Sequence, residues 1–176
     1  MLRIDTRIAS PQKTIMLPDQ ELLSSALEGY LLGVQAALAK GANIKAGDTI
    51  GRTALHLAAA SGESHVIHWL IVHGADLSAR SNIGATPLHT LAYSDKLPDG
   101  AQILVDNGAD INATDTDGWT PLHEAAYWGR TARVRLFLTL GADIDAKDKD
   151  GHTAHDLGVQ EGHTEVALIL EQAKRG

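Results

Sequence analysis

GWTPLHEAAYWG, residues Gly118 to Gly129, decides the fold because it returns, altered but in register, as GRTALHLAAASG from Gly51 and GATPLHTLA from Gly84. The turn glycines Gly51, Gly84, Gly118 and Gly151 are followed two places on by Thr53, Thr86, Thr120 and Thr153, with spacings of 33, 34 and 33. A Gly-Ala pair closes each unit, at Gly41, Gly74, Gly108 and Gly141, with the same spacings. A unit of this length cannot bury its apolar face alone, so the period predicts a solenoid of stacked neighbours.

Each unit reads as a turn followed by two helices. The four threonines stand as N-caps, whose hydroxyls accept from an unpaired first-turn amide. Pro87 and Pro121 follow at the first helical position, where a missing amide costs nothing. Ala58, Ala59, Ala125 and Ala126 make the first helix thin, and Gly62, Gly129 and Gly162 turn the chain into the second. That second helix carries Val66, Ile67 and Leu70, then Val134, Phe137 and Leu138, then Val166, Ile169 and Leu170, at helical spacing. Gly74, Gly108 and Gly141 end it in a left-handed residue.

The end units depart from the pattern. Residues 19–46 lack a TPLH string, yet Gly29 lies 33 before Gly62, and Leu22, Leu23, Ala26, Leu27 and Tyr30 form an apolar stripe opened by Asp19. In the last unit TAHDLG from Thr153 puts Asp156 where the others have His56, His89 and His123. Polar outer faces keep a stack soluble, so both ends read as caps.

These strings, with the closings GADLSA, GADINA and GADIDA, closely resemble ankyrin repeats over residues 19 to 173. The resemblance implies an all-α solenoid of helix-turn-helix units with β-hairpin fingers. It divides the chain into an arm, 1–18, and a repeat domain, 19–176, with units at about 19–46, 47–79, 80–113, 114–146 and 147–176. It also implies that His56, His89 and His123 make hydrogen bonds tying one unit to the next.

Composition narrows the function. The 176 residues leave no room for a separate catalytic domain, and the absence of cysteine excludes a disulfide framework. No basic flank precedes an apolar run near the start and no membrane span is present, so a cytoplasmic protein is expected. A net charge of -7 with no basic stripe argues against nucleic acid as a partner.

Several strings imitate chemistry. HEAAY, His123 to Tyr127, resembles the zinc-protease helix string, but Tyr127 stands where the second ligand must be. ATDTDGWTPLHE, Ala113 to Glu124, imitates a calcium loop with Asp115, Asp117, Gly118 and Glu124 in place, but it opens on Ala113. His65, His68 and His73 on one outer helix, or His152 with His155, offer imidazoles to a metal, although solvated polar faces explain them as well. No phosphate loop, serine elbow or cysteine nucleophile is seen. No catalytic residue, cofactor or metal site is therefore assigned.

Binding must fall on positions the repeat leaves free. In ankyrin proteins these are the finger tips and the exposed edge of the first helices, which line a concave surface. Here they include Ile50, Arg52 and Ser61, then Arg80, Ile83, Ala85, Tyr93 and Ser94, then Asp117, Trp119, Tyr127 and Trp128, then Asp150 and His152. Four of the seven aromatic residues, Tyr93, Trp119, Tyr127 and Trp128, occupy such positions in adjacent units, where Trp and Tyr serve as binding hot spots. Ile50 and Ile83 extend the patch, and Arg52, Arg80, Asp117 and Asp150 supply a charged rim. The third unit also carries one extra residue in a longer loop, Ser94 to Gly100, and restarts its second helix near Pro98.

The expected function is binding of another protein through the concave face, as an inhibitor, a protective partner or an assembly adaptor, by a chain that is monomeric when unbound. Two rival expectations are a metal-dependent hydrolase using the histidines and a self-assembling structural protein.

Overall fold

The structure, a computed structural model, describes residues 16–94 and 99–175. The arm up to residue 15 and the centre of the irregular loop, including Pro98, lie outside the described residues.

Among the described residues ten helices pair into five hairpins: α1 Pro18–Leu27 with α2 Leu31–Ala39, α3 Ala54–Ser61 with α4 Ser64–Val72, α5 Pro87–Ala92 with α6 Gly100–Asp106, α7 Pro121–Tyr127 with α8 Thr131–Thr139, and α9 Ala154–Gln160 with α10 Thr164–Arg175. The first helices touch in sequence, α1 to α3 to α5 to α7 to α9, and form an inner row. In the outer row α4 packs on α6 and α8 on α10. One apolar core runs the length of the stack. Its outer-helix side chains are Val66, Ile67, Leu70, Leu104, Val134, Phe137, Val166, Ile169 and Leu170, and its inner-helix alanines include Ala58, Ala59, Ala125 and Ala126. A helix bearing alanine on its packing face lets its neighbour approach, while the larger residues behind fill the wedge between hairpins.

In the first hairpin the stripe is narrower than its sequence indicates. Leu22 and Ala26 are buried, but Leu27 and Tyr30 are exposed, because no earlier unit among the described residues packs against that side. The helix also opens one residue before Asp19, with Pro18 at its first position. The Asp19 carboxylate instead reaches across to accept from the Asn43 amide at 2.7 Å.

The fingers differ from the β-hairpins implied by resemblance. The pairing Gly47 with Thr53 is an isolated bridge, and no strand forms among the described residues. Each finger is a tight turn closed by two backbone bonds, the outer ones from the amides of Asp48, Ser81, Asp115 and Asp148 to the carbonyls of Arg52, Ala85, Trp119 and His152. Successive tips are then stitched together: Asn82 N–H donates to Ile50 O at 2.9 Å, Thr116 to Ile83 at 3.0 Å and Lys149 to Asp117 at 3.0 Å. Gly84 shows why the turn needs glycine. Its φ is +74°, and a Cβ there would sit 2.9 Å from the Thr116 amide nitrogen of the next finger.

Helix capping departs from the reading by threonine alone. His56 Nδ1 accepts from the Thr53 amide at 3.1 Å and lies 2.9 Å from the Thr53 hydroxyl, and the same pair recurs at Thr86 with His89 and Thr120 with His123. The other ring nitrogen faces a carbonyl of the next unit: His56 Nε2 to Ala85 O at 2.9 Å, His89 to Trp119 O at 2.9 Å, His123 to His152 O at 3.2 Å. A nitrogen facing a carbonyl must carry hydrogen and one facing an amide must not, so all three rings are neutral with the proton on Nε2. Asp156 keeps the first half of this device, accepting from the Thr153 amide at 2.9 Å and hydroxyl at 2.8 Å, and drops the second.

Candidate functional site

The face formed by the finger tips and inner helices carries most of the positions left free by the repeat. Ile50 and Ile83 are exposed on neighbouring tips, and Tyr93, the residue capping the end of α5, is at the edge of exposure. With Arg52, His89, Thr90 and Glu124 they line a mostly apolar cavity of about 210 Å³ spanning the second to fourth units. Larger clefts lie between the second and third fingers, about 420 Å³, and beside the last unit, about 350 Å³. Neither contains a Trp or Tyr, so volume alone does not identify the site.

Next to this cavity the other three aromatics form a chain. The rings of Trp119 and Tyr127 are 5.0 Å apart at 54°, and Tyr127 meets Trp128 edge-on at 5.3 Å and 88°. In the second pair a positive ring edge meets a negative face. Trp128 remains half exposed. Its indole N–H donates to Glu124 Oε2 at 3.1 Å, which joins the aromatic chain to the cavity through one carboxylate.

Glu124 is the residue that sequence reading placed only in the zinc and calcium imitations. It stands on α7 at the register position held by Leu57 on α3, Thr90 on α5 and Leu157 on α9. Burial pushes its pKa up from 4.5 to about 7, the Trp128 hydrogen bond lowers it, and the like charge of Asp115 raises it further. Among the described residues no Lys or Arg forms an ion pair with it. A carboxylate where a stacked helix otherwise carries leucine or threonine is the signal that could have found it.

The expected charged rim is largely committed to the scaffold. Arg52 pairs with Asp48 at 2.8 Å, and its Nε donates to the same carboxylate. Burial pushes Asp48 up, but hydrogen bonds from the Arg52 amide and guanidinium and from the Ile50 amide hold its pKa below the usual carboxylate range. Arg80 donates to Gly84 O at 3.0 Å and to Thr114 O at 2.6 Å, bridging two fingers. Ser61 and Ser94, read as free, instead donate to Ala26 O at 3.3 Å and Ala60 O at 3.1 Å of the preceding inner helices, and Ala85 is buried. His163 plays the same part, its Nε2 2.9 Å from Tyr127 O. Asp117, Asp150 and His152 are exposed at the fourth and fifth tips and do not line the cavity.

The metal-like clusters have structural explanations. Asp148, Asp150 and His152 lie within 4.8 Å of one another, but Asp148 Oδ1 accepts from the amides of Asp150 at 3.0 Å and His152 at 2.8 Å. Asp48 and Asp115 make the same turn in their own fingers, so the carboxylate serves the finger. His73 stacks on Trp69 at 3.5 Å with its Nδ1 on the Trp69 carbonyl, and the trio with His65 and His68 does not converge.

Helical hairpins stacked by small inner residues, a histidine ladder between them and stitched finger tips define a helical repeat protein whose finger face presents aromatic side chains. A family model described as "Ankyrin repeats (3 copies)" matches residues 22–115 and again 92–174, and the chain belongs to the ankyrin-repeat family. A search of the curated proteins found no match. Ankyrin repeats are protein–protein interaction modules, so the chain is one that binds other proteins. No helix among the described residues is long and apolar enough to cross a membrane.

Proposed function

We propose that residues 19–176 act as one protein-binding domain whose finger and inner-helix face engages a partner across the third and fourth units. The observation that supports this reading most is the continuity of Tyr93, Glu124, Trp128, Tyr127 and Trp119 on positions not needed by the core. Trp and Tyr bury large area at low entropy cost and keep a polar handle, which is why they dominate hot spots. Trp119, Tyr127 and Trp128 form the centre of the proposed surface. Ile50 and Ile83 extend it apolarly, while Asp117, Asp150 and His152 lie on its far rim. Arg52 and Arg80 hold the fingers in place for it.

On this reading the chain works by occupying its target, as an inhibitor, a protective partner or an assembly adaptor, within the cytoplasm, and is monomeric when unbound. The test compares wild type with Trp119→Ala/Trp128→Ala in capture from native extract, followed by affinity measurement on whatever is retained. A partner held by wild type and weakened about 10²-fold or more in the double variant supports the site, since hot-spot truncations cost roughly 2–4 kcal/mol. Equal affinity moves the site elsewhere. Loss of the helical circular-dichroism signal would assign the two rings to the core instead.

A further inference from the structure

We infer that the cavity lined by Ile50, Ile83, Tyr93 and Glu124 receives one basic side chain of the partner, lysine or arginine, with the Glu124 carboxylate as its counter-ion. This deepens the reading above and rests on it for the identity of the ligand as a protein.

Several observations converge. The cavity is apolar apart from a few groups, and most of those are already used: His89 is bonded through both nitrogens and Arg52 is paired with Asp48. Among the described lining residues Glu124 alone brings a charge without an ion pair, with one oxygen on the Trp128 indole. A volume of about 210 Å³ falls below the roughly 300–1,000 Å³ of small-molecule sites, which favours a single side chain over a cofactor. Ile50 and Ile83 give the cavity apolar walls suited to an aliphatic stem, and the aromatic Tyr93 lines the same space, where a cation is favoured near a ring. The net charge of -7 favours the approach of a basic partner to the chain as a whole.

The charged and titratable groups described at the cavity and acting on the carboxylate are Arg52 from the second finger, His89 and Tyr93 from α5 and Asp115 from the fourth finger; Arg130, before α8, donates through its Nε to Tyr93 O. Arg52 is neutralised by Asp48 and His89 is held neutral, and the charge that acts on Glu124 among the described residues is the like-signed Asp115. An incoming ammonium or guanidinium supplies the missing positive charge, and Glu124 ionises fully when it arrives.

The experiment uses the full chain and three probes, N-acetyl-lysine methylamide, N-acetyl-arginine methylamide and the neutral N-acetyl-norleucine methylamide, followed on the Trp128 indole N–H resonance at fixed pH. The basic probes are expected to move that resonance with roughly millimolar affinity. Binding should be about tenfold weaker at pH 6 than at pH 8, as only the ionised fraction of Glu124 is competent. Glu124→Gln, a neutral isostere that keeps an acceptor for the indole, should abolish the response while leaving the fold intact. Equal binding by the norleucine probe, undiminished binding by Glu124→Gln, or no movement of the resonance well above millimolar probe overturns the assignment. Because no partner is needed, this result stands apart from the capture experiment: a partner lost in the double tryptophan variant with no response to basic probes leaves the interaction face and removes the basic side chain.

Discussion

Replacing Glu124 by Gln should stabilise the protein at pH 8 and do almost nothing at pH 4.5. The physical basis is a carboxyl whose pKa stands at about 7 in the folded chain against an ordinary 4.5. A folded-state acid with a raised pKa costs nothing below pH 4.5, where both states are protonated. The cost grows as the pH climbs from 4.5 to 7, where the unfolded chain ionises freely, and is constant above. At about 1.36 kcal/mol per tenfold change in proton affinity the ceiling is about 3 kcal/mol. Glu124 is only partly covered by protein and keeps the Trp128 hydrogen bond, so screening reduces the expected gain to about 1–2 kcal/mol. Glutamine keeps the acceptor and has no charge to desolvate. Urea titrations of both chains at pH 4.5, 6 and 8, read by circular dichroism, would show a midpoint shift of roughly 0.3–0.7 M at pH 8, taking a slope of about 3 kcal/mol/M. A shift of the same size at all three values, or a loss of stability at pH 8, would refute the account of Glu124 as a desolvated charge.

The histidine ladder titrates with the opposite sign. Burial lowers the pKa of His56, His89 and His123 despite the backbone hydrogen bonds that raise it, so the stability they hold is present above about pH 6.5 and is lost as the pH falls through their folded values. In the Glu124→Gln chain, where the opposing carboxyl is gone, midpoints should therefore fall monotonically below pH 6.5. His89→Ala, which removes a buried ring and the link to Trp119 O, should cost about 2–4 kcal/mol at neutral pH by denaturant titration. Gly129→Ala should destabilise by more than Gly141→Ala. Both glycines have positive φ, worth about 1 kcal/mol, but a Cβ at Gly129 would meet the His163 ring at 2.6 Å while one at Gly141 meets nothing within 4 Å. Equal melting temperatures for the two variants would contradict the close packing of His163 on the preceding unit.

Repetition made the architecture readable, because a core position recurs four or five times and a chance residue cannot mimic all its copies. Val66, Val134 and Val166 with Leu70, Phe137 and Leu170 were assigned to the core from spacing and are buried. What repetition hides is any residue whose role is to differ. Arg133 is wholly buried at the register position held by Val66 and Val166, and burial lowers its pKa, yet no period indicates a cation there. Ser61, Ser94 and His163 were out of reach for another reason. Their partners are backbone carbonyls of the preceding unit, and backbone atoms leave no signature in a sequence. The aromatic positions were readable as free of the core, but their meeting at Glu124 depends on side-chain directions across two units.

The position of Glu124 also explains how the stack tolerates it. In a solenoid each unit contacts only its neighbours, so the cost of one desolvated carboxyl is confined to the contacts of α7 with α5, α8 and α9 and does not spread through a global core. On either side the same register position returns to an uncharged residue, Thr90 before and Leu157 after, and the His89 and His123 links flank it on the same helices. The units that carry the strain are thus the ones joined by complete histidine bridges, whereas Asp156 in the last unit lacks the second nitrogen that a bridge needs. Placing an unfavourable charge between two full bridges keeps it rigid, and a rigid, incompletely solvated carboxylate binds an incoming cation with less reorganisation than a mobile surface one. The same logic makes the fourth unit a better position for this group than the fifth.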